Sequence, residues 1–138
     1  MKQAHPTEFA DPANSAYPAA LCWRRAAAGI EVLLITARRS GRWIVPKGHP
    51  IRGLPVHEAA AREAWEEAGV QGRVDPAPLG RYRPGSFDVQ LHPLEVAQIV
   101  DDFPEAGQRL RLWLAPDKAA ARVADPGLAA LIAGFRPS

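Results

Sequence analysis

The chain has 138 residues, 47% hydrophobic and 23% charged, proportions of a folded globular protein that exclude a disordered or fibrous one. That length suits a single domain with a sizeable core. Seventeen Lys and Arg against fifteen Asp and Glu leave a formal charge of only +2, which excludes the broad basic field of a duplex nucleic-acid binder. The lone Cys22 excludes an internal disulfide, and a Cys-based zinc site would need more thiolates. No run approaches the ~20 apolar residues of a membrane span, and the first residues lack the apolar core of a secretion signal. The expectation is a soluble, cytoplasmic protein with no membrane partner.

Residues 1–18, with Pro6, Pro12 and Pro18 among small and polar residues, predict an extended arm, and residues 19–138 a single domain. Short apolar, β-favouring runs at 19–23 and 30–36 flank a hairpin connection at 26–29. A third run, 43–45, is closed by Pro46 and Gly48, and a Pro- and Gly-rich loop continues to Pro55. Residues 55–68 predict the clearest helix, with Pro at its start and Gly69 just past its end. Further strands are expected at 74–79, 87–91 and 94–100, with Pro93 marking a bulge or an edge. The alternation of Arg and apolar residues over 109–114 predicts a strand with one wet and one buried face. Two short Ala-rich helices follow at 116–122 and 126–135. There is no internal repeat and no linker between domains.

Glu63, Glu66 and Glu67 stand at i, i+3 and i+4 of the central helix and crowd one face. Like charges at i,i+4 disfavour a bare helix by a few tenths of a kcal/mol. One reading is a solvated face, since Glu58 and Arg62, and Arg62 and Glu66, have ion-pair spacing. The other is a site for a hard cation, because three convergent carboxylates suit Mg²⁺ or Mn²⁺ when substrate phosphates complete the shell. Glu63 and Glu67 lack a helix partner, with Ala59 and Gln71 at the spaced positions.

The preceding segment is charged the other way. Residues 36–53 hold Arg38, Arg39, Arg42, Lys47 and Arg52 and no acid, whereas residues 54–70 hold four acids and one Arg. The near-neutral total therefore conceals two opposed blocks. A basic loop beside an acidic helix suits a polyphosphate whose charge is shared between guanidinium groups and divalent ions; solvated arginines on a turn remain the plainer reading.

At this point residues 43–70, WIVPKGHPIRGLPVHEAAAREAWEEAGV, resemble the Nudix box: Gly, five residues, Glu, seven residues, then Arg-Glu-apolar-x-Glu-Glu-x-Gly-apolar. Gly48, Arg62, Glu63, Ala64, Glu66, Glu67, Gly69 and Val70 fall in register. The first Glu of the pattern falls on Leu54. In the family that carboxylate supports the box Arg, so the departure bears on rate and on Arg62 orientation; Glu58, one turn before Arg62, is the candidate replacement partner.

The resemblance implies an α/β (α+β) fold, a mixed sheet sandwiched between helices. It also implies that Glu63, Glu66, Glu67 and the Gly48 carbonyl hold Mg²⁺, with Mn²⁺ as an alternative, for hydrolysis of a diphosphate linkage. Glu63 is the candidate for activating water. The sequence around the box is similar to the diadenosine polyphosphate and diphosphoinositol polyphosphate hydrolase branch. By that likeness Arg38 and Arg42 contact phosphates, Lys47 sits beside the metal site, and Arg109 and Arg111 line the same cleft. Inositol-specific members carry basic residues where this chain has Tyr17 and Pro18, which puts a dinucleoside polyphosphate ahead of the inositol substrate. The implied partner is a small-molecule polyphosphate and no specific nucleic acid; a homodimer stays open. A competing reading is a nucleotide-binding domain whose catalysis is weakened at Leu54, and a third is weak charge attraction of nucleic acid to the basic loop.

Other residues carry plainer expectations. Asp101, Asp102 and Glu105 form a second acidic patch, a source of a base or simply a solvated turn. His49 is expected on an exposed loop, and His57 and His92 lack metal-ligand spacing. Trp43 and Trp113 are assigned to the core, Tyr82 and Phe87 are the candidates for stacking a base, and Cys22 is a buried filler.

Overall fold

The computed structural model describes residues 16–137, so most of the expected arm lies outside the described residues. The chain runs β1 (Tyr17–Ala26), β2 (Gly29–Thr36), β3 (Trp43–Ile44), α1 (Val56–Ala68), β4 (Val70–Val74), β5 (Gly80–Tyr82), β6 (Val89–Ile99), β7 (Arg111–Leu114), α2 (Pro116–Arg122) and α3 (Pro126–Ala133). All seven strands join one mixed sheet. At its centre β1 runs parallel to β6, with Leu21 opposite Pro93, and antiparallel to β2. Pairing on β1 begins at Tyr17, so Tyr17 and Pro18 are strand and not arm.

Strand alternation divides the core in two. Ala19, Leu21 and Trp23 of β1, with Val32 and Leu34 of β2, pack against Ala119 of α2, Leu128 and Ile132 of α3, and Phe135. The intervening Ala20, Cys22, Leu33 and Ile35 pack against Ala60, Ala64 and Ala68 of α1. Helices therefore cover both faces, as expected, and each fully buried Leu or Ile contributes about 1.5–3 kcal/mol. Burial pushes the Cys22 thiol up to about 12, which suits an inert filler.

The differences from expectation are local. The strand after α1 is 70–74; Pro76 and Pro78 keep 75–79 irregular, and the Ala77 N–H closes onto the Asp75 side chain. Pro93 does not split a strand, because β6 runs through it. Its carbonyl takes the Asp75 N–H at 2.8 Å, so its missing donor faces the gap between β4 and β5, where no strand asks for one. Phe87 lies before β6. Strand β7 starts at Arg111 and has two half-buried faces, Trp113 toward α1 and Leu114 toward α2 and α3. Helix α3 stops at Ala133.

Candidate active site

Helix α1 starts one residue after Pro55 and ends on Gly69, whose φ of 70° is the left-handed cap glycine provides. Its buried stripe is alanine, so the helix lies close on the sheet. Glu63 and Glu67 sit one position before Ala64 and Ala68, at the rim of that seam. The loop from β3 is pinned to the start of β1: the Gly48 N–H reaches Pro18 O at 3.1 Å and the Ala20 N–H reaches Pro46 O at 3.0 Å. This brings Gly48 against Glu63 so closely that a Cβ at position 48 would fall inside the carboxylate. The Lys47 N–H donates to Glu67 Oε1 at 3.2 Å.

Glu67 is buried, and loss of solvent pushes its carboxyl up to about 8. Arg109 and the Lys47 N–H oppose that rise, while the Glu63 charge and a hydrogen bond to Glu63 add to it. Glu63 is raised as well, first by burial and then by repulsion from Glu66 and Glu105, against the lowering effect of its hydrogen bond to Glu67. Two carboxyls this close hold one proton between them more readily than isolated ones.

A fourth carboxylate joins this group. The 100–110 connection is tied to α1 by the Glu105 N–H, which donates to Glu66 O at 3.0 Å. Glu105 Oε1 lies 3.5 Å from Arg109 Nη2, and the same nitrogen is 3.5 Å from Glu67 Oε2. Of the three acids in the second patch only Glu105 enters the site. Asp101 pairs with Arg111, and Asp102 is exposed. Nothing in the local sequence of 101–105 separates these three roles.

The predicted cations divide likewise. Arg42 and Lys47 line a cavity of about 330 Å³, whose other walls include Trp43, Tyr82, Asp125 and Leu128. The Lys47 Nζ stands 5.9 Å from the centre of the Phe87 ring, which stacks on Tyr17 at 4.1 Å. Tyr82 is core, its hydroxyl buried without a partner. Arg38 is exposed on the β2–β3 turn and donates to Gln108. Arg111 turns away from the carboxylates: it donates to Ala68 O, Val100 O and Asp101 at 3.0, 2.7 and 2.6 Å, closing the C-terminal end of α1. Arg62 is exposed, and Glu58 lies 3.8 Å from His57 instead of pairing with it. The expected Glu58–Arg62 pair does not form among the described residues.

The side-chain donors at Glu63, Glu66, Glu67 and Glu105 are all oxygens, the chemistry of a hard divalent cation. Among the described residues no three of these side chains converge closely enough to hold a metal ion by themselves. A shell finished by water and phosphate is what Mg²⁺ prefers.

A NUDIX domain model matches residues 17–134. The chain is 37% identical over 97 residues to Nudix hydrolase 21, chloroplastic, of Arabidopsis thaliana, covering 65% of this chain and 48% of that protein. It is 34% identical over 108 residues to Diphosphoinositol polyphosphate phosphohydrolase 2 of Rattus norvegicus, covering 69% and 55%. The chain spans about half the length of the curated relatives it matches. The crystal structure of C. elegans Ap4A Hydrolase shares the fold, with a TM-score of 0.64 at 22% identity over 86% of this chain and 92% of that one. Since the domain match opens on the first residue of β1 and closes one residue past α3, it takes in the whole sheet and all three helices, and the chain belongs to the Nudix family.

Proposed function

We propose that the protein is a Mg²⁺-dependent hydrolase of phosphoanhydride bonds whose substrate is a nucleoside polyphosphate, foremost a dinucleoside polyphosphate. The observation that carries this reading is the seating of Gly48 and the Lys47 N–H on the Glu63–Glu67 pair, which joins the basic loop to the carboxylates. Glu63, Glu66 and Glu67 would hold the divalent cation, which when bound would supply charge to polarise the phosphates and acidify water. Glu63 takes the proton of the attacking water as the new P–O bond forms and the bridging P–O bond breaks. Glu105 Oε1, buried and without a hydrogen bond though ion-paired to Arg109 at 3.5 Å, offers a second acceptor. Lys47, Arg42 and Arg38 hold phosphate oxygens along the loop.

The cavity beside Lys47 bears on the substrate. Its walls set Trp43, Tyr82, Val123 and Leu128 beside two cations, Arg42 and Lys47, and one acid, Asp125; an apolar wall with a cationic edge suits a nucleoside joined to phosphates better than an inositol ring phosphorylated all round. The names of the rat and nematode relatives support both substrate classes, so the deciding experiment is a panel of diadenosine polyphosphates, mononucleotides and diphosphoinositol polyphosphates with product analysis. Mg²⁺-dependent turnover of the diadenosine compounds is expected, and Glu66→Gln and Glu67→Gln should lower it by at least ~10²-fold. Activity unchanged in both variants, or turnover confined to the inositol compounds, refutes the respective part of the proposal.

Leu54 and the unpaired, exposed Arg62 favour a second reading, a nucleotide-binding domain with weak catalysis. Tight binding without turnover, reversed by Leu54→Glu, would establish it. With a single cysteine and no disulfide to form, we propose the cytoplasm as the protein's compartment.

A further inference from the structure

Arg109 is enclosed. Its side chain is 8% exposed and that of its partner Glu67 9%, and its Nη1 is anchored to Thr36 O at 3.1 Å. Its Nη2 stands 3.5 Å from Glu67 Oε2 and 3.5 Å from Glu105 Oε1. Both separations exceed the ~2.7–2.9 Å of a charge-assisted hydrogen bond, so the guanidinium faces two carboxyl groups without being locked to either. Two buried atoms, Arg109 Nε and Glu105 Oε1, have no hydrogen-bond partner. A purely structural ion pair satisfies its buried donors and acceptors with hydrogen bonds; here Glu105 Oε1 has only the long ion pair to Arg109 Nη2, and Arg109 Nε has no hydrogen-bond partner. A phosphate-binding arginine, in turn, would present its fork to the cleft and not to two carboxylates.

We infer that Arg109 is a positioning residue acting as a resident counter-cation: it holds Glu67 and Glu105 at one guanidinium nitrogen and competes with the divalent cation for the Glu67 carboxylate. Glu67 belongs to α1 and Glu105 to the 100–110 connection, so this nitrogen also joins two separate elements at the site. The inference rests on Glu63 and Glu67 being cation ligands and specifies what shares that ligand with the metal.

The test is Mn²⁺ binding to the metal-free protein, read from the paramagnetic resonance of the free ion, together with thermal unfolding without metal. Arg109→Gln removes the competing charge, so Mn²⁺ should bind at least about 3-fold tighter while the metal-free Tm falls. Arg109→Lys keeps a charge and should bind Mn²⁺ close to wild type. Because Glu105 is itself one of the oxygen donors, the fallback should Arg109→Gln fail to fold is the double variant Arg109→Gln/Glu105→Gln, which removes one charge of each sign; it should bind Mn²⁺ more tightly than Glu105→Gln alone. An arginine that only braces the fold lowers Tm and leaves Mn²⁺ affinity unchanged; one that binds substrate raises KM and leaves both unchanged. Either outcome overturns the inference alone, whereas a wild-type protein that binds no Mn²⁺ overturns the reading of the carboxylates with it.

Discussion

Replacing Gly48 by Ala tests the geometry of the site with one methyl group. A Cβ there would stand 2.5 and 2.6 Å from the two Glu63 carboxylate oxygens, where ordinary contact begins at 3.4 Å. Gly48 is not among the positive-φ glycines, so the backbone accepts alanine and the conflict falls on Glu63. The carboxylate must withdraw by roughly 1 Å, and a misplacement of that size can lower catalysis by about 10²-fold, or ~2.7 kcal/mol in the barrier. Stability should move far less. The clash is with the end of a side chain at the seam's rim, and removing a glycine from the unfolded ensemble offsets about 0.4–1 kcal/mol. Steady-state kcat/KM with a phosphoanhydride substrate, Mn²⁺ affinity and Tm, measured together, decide the matter. Wild-type kcat/KM and Mn²⁺ affinity in Gly48→Ala would show that Glu63 does not need its seat on the loop, and the argument from close approach would fail.

Three further outcomes are expected. Because Glu67 is raised from 4.5 to about 8, its contribution to metal-free stability is present below 4.5 and lost as pH rises through 8, while cation binding strengthens over the same window; Mn²⁺ calorimetry in buffers of different ionisation enthalpy should show proton release, absent in Glu67→Gln. His92 is buried and lowered from 6.5 by loss of solvent, with its Nδ1 on Asp75 O and its Nε2 on the Gln90 amide. The neutral ring is therefore the native form, and stability should decline as pH falls below 6.5, a slope that vanishes in His92→Gln. Arg111→Gln should destabilise by about 1–3 kcal/mol in denaturant melts, since it strips partners from Ala68 O and Val100 O, with KM unchanged; a raised KM with intact stability would restore Arg111 to the substrate.

What could be read in advance depended on whether a signal was local. Helix α1 was legible because Pro55 and Gly69 bracket strong helix formers, and the spacing of the box survives folding as contact of Gly48 with Glu63 and of the Lys47 N–H with Glu67. Strand β4 was not: only Val70 of its residues is fully buried, so an edge strand of Gln71, Gly72 and Arg73 reads as loop, while the more apolar 74–79, with two prolines, reads as strand. Arginines 109 and 111 look equivalent in sequence, yet one meets the carboxylates and the other the end of α1. Their partners lie some forty residues away, at Glu67 and Ala68, and only packing decides between them. Glu105 was ambiguous for the same reason, since its role depends on a backbone bond to Glu66.

The alanines of α1 give the site its height. Ala60, Ala64 and Ala68 are fully buried against Ala20, Cys22, Leu33 and Ile35, so on the helix side only methyl groups face the sheet. A Val or Leu at any of them would lift the helix, and Glu63 and Glu67 would rise with it while Gly48 stayed pinned to β1. Small residues in the core thus act as a spacer between the two halves of the candidate site, and a change there would be felt first in the fit of Gly48 against Glu63.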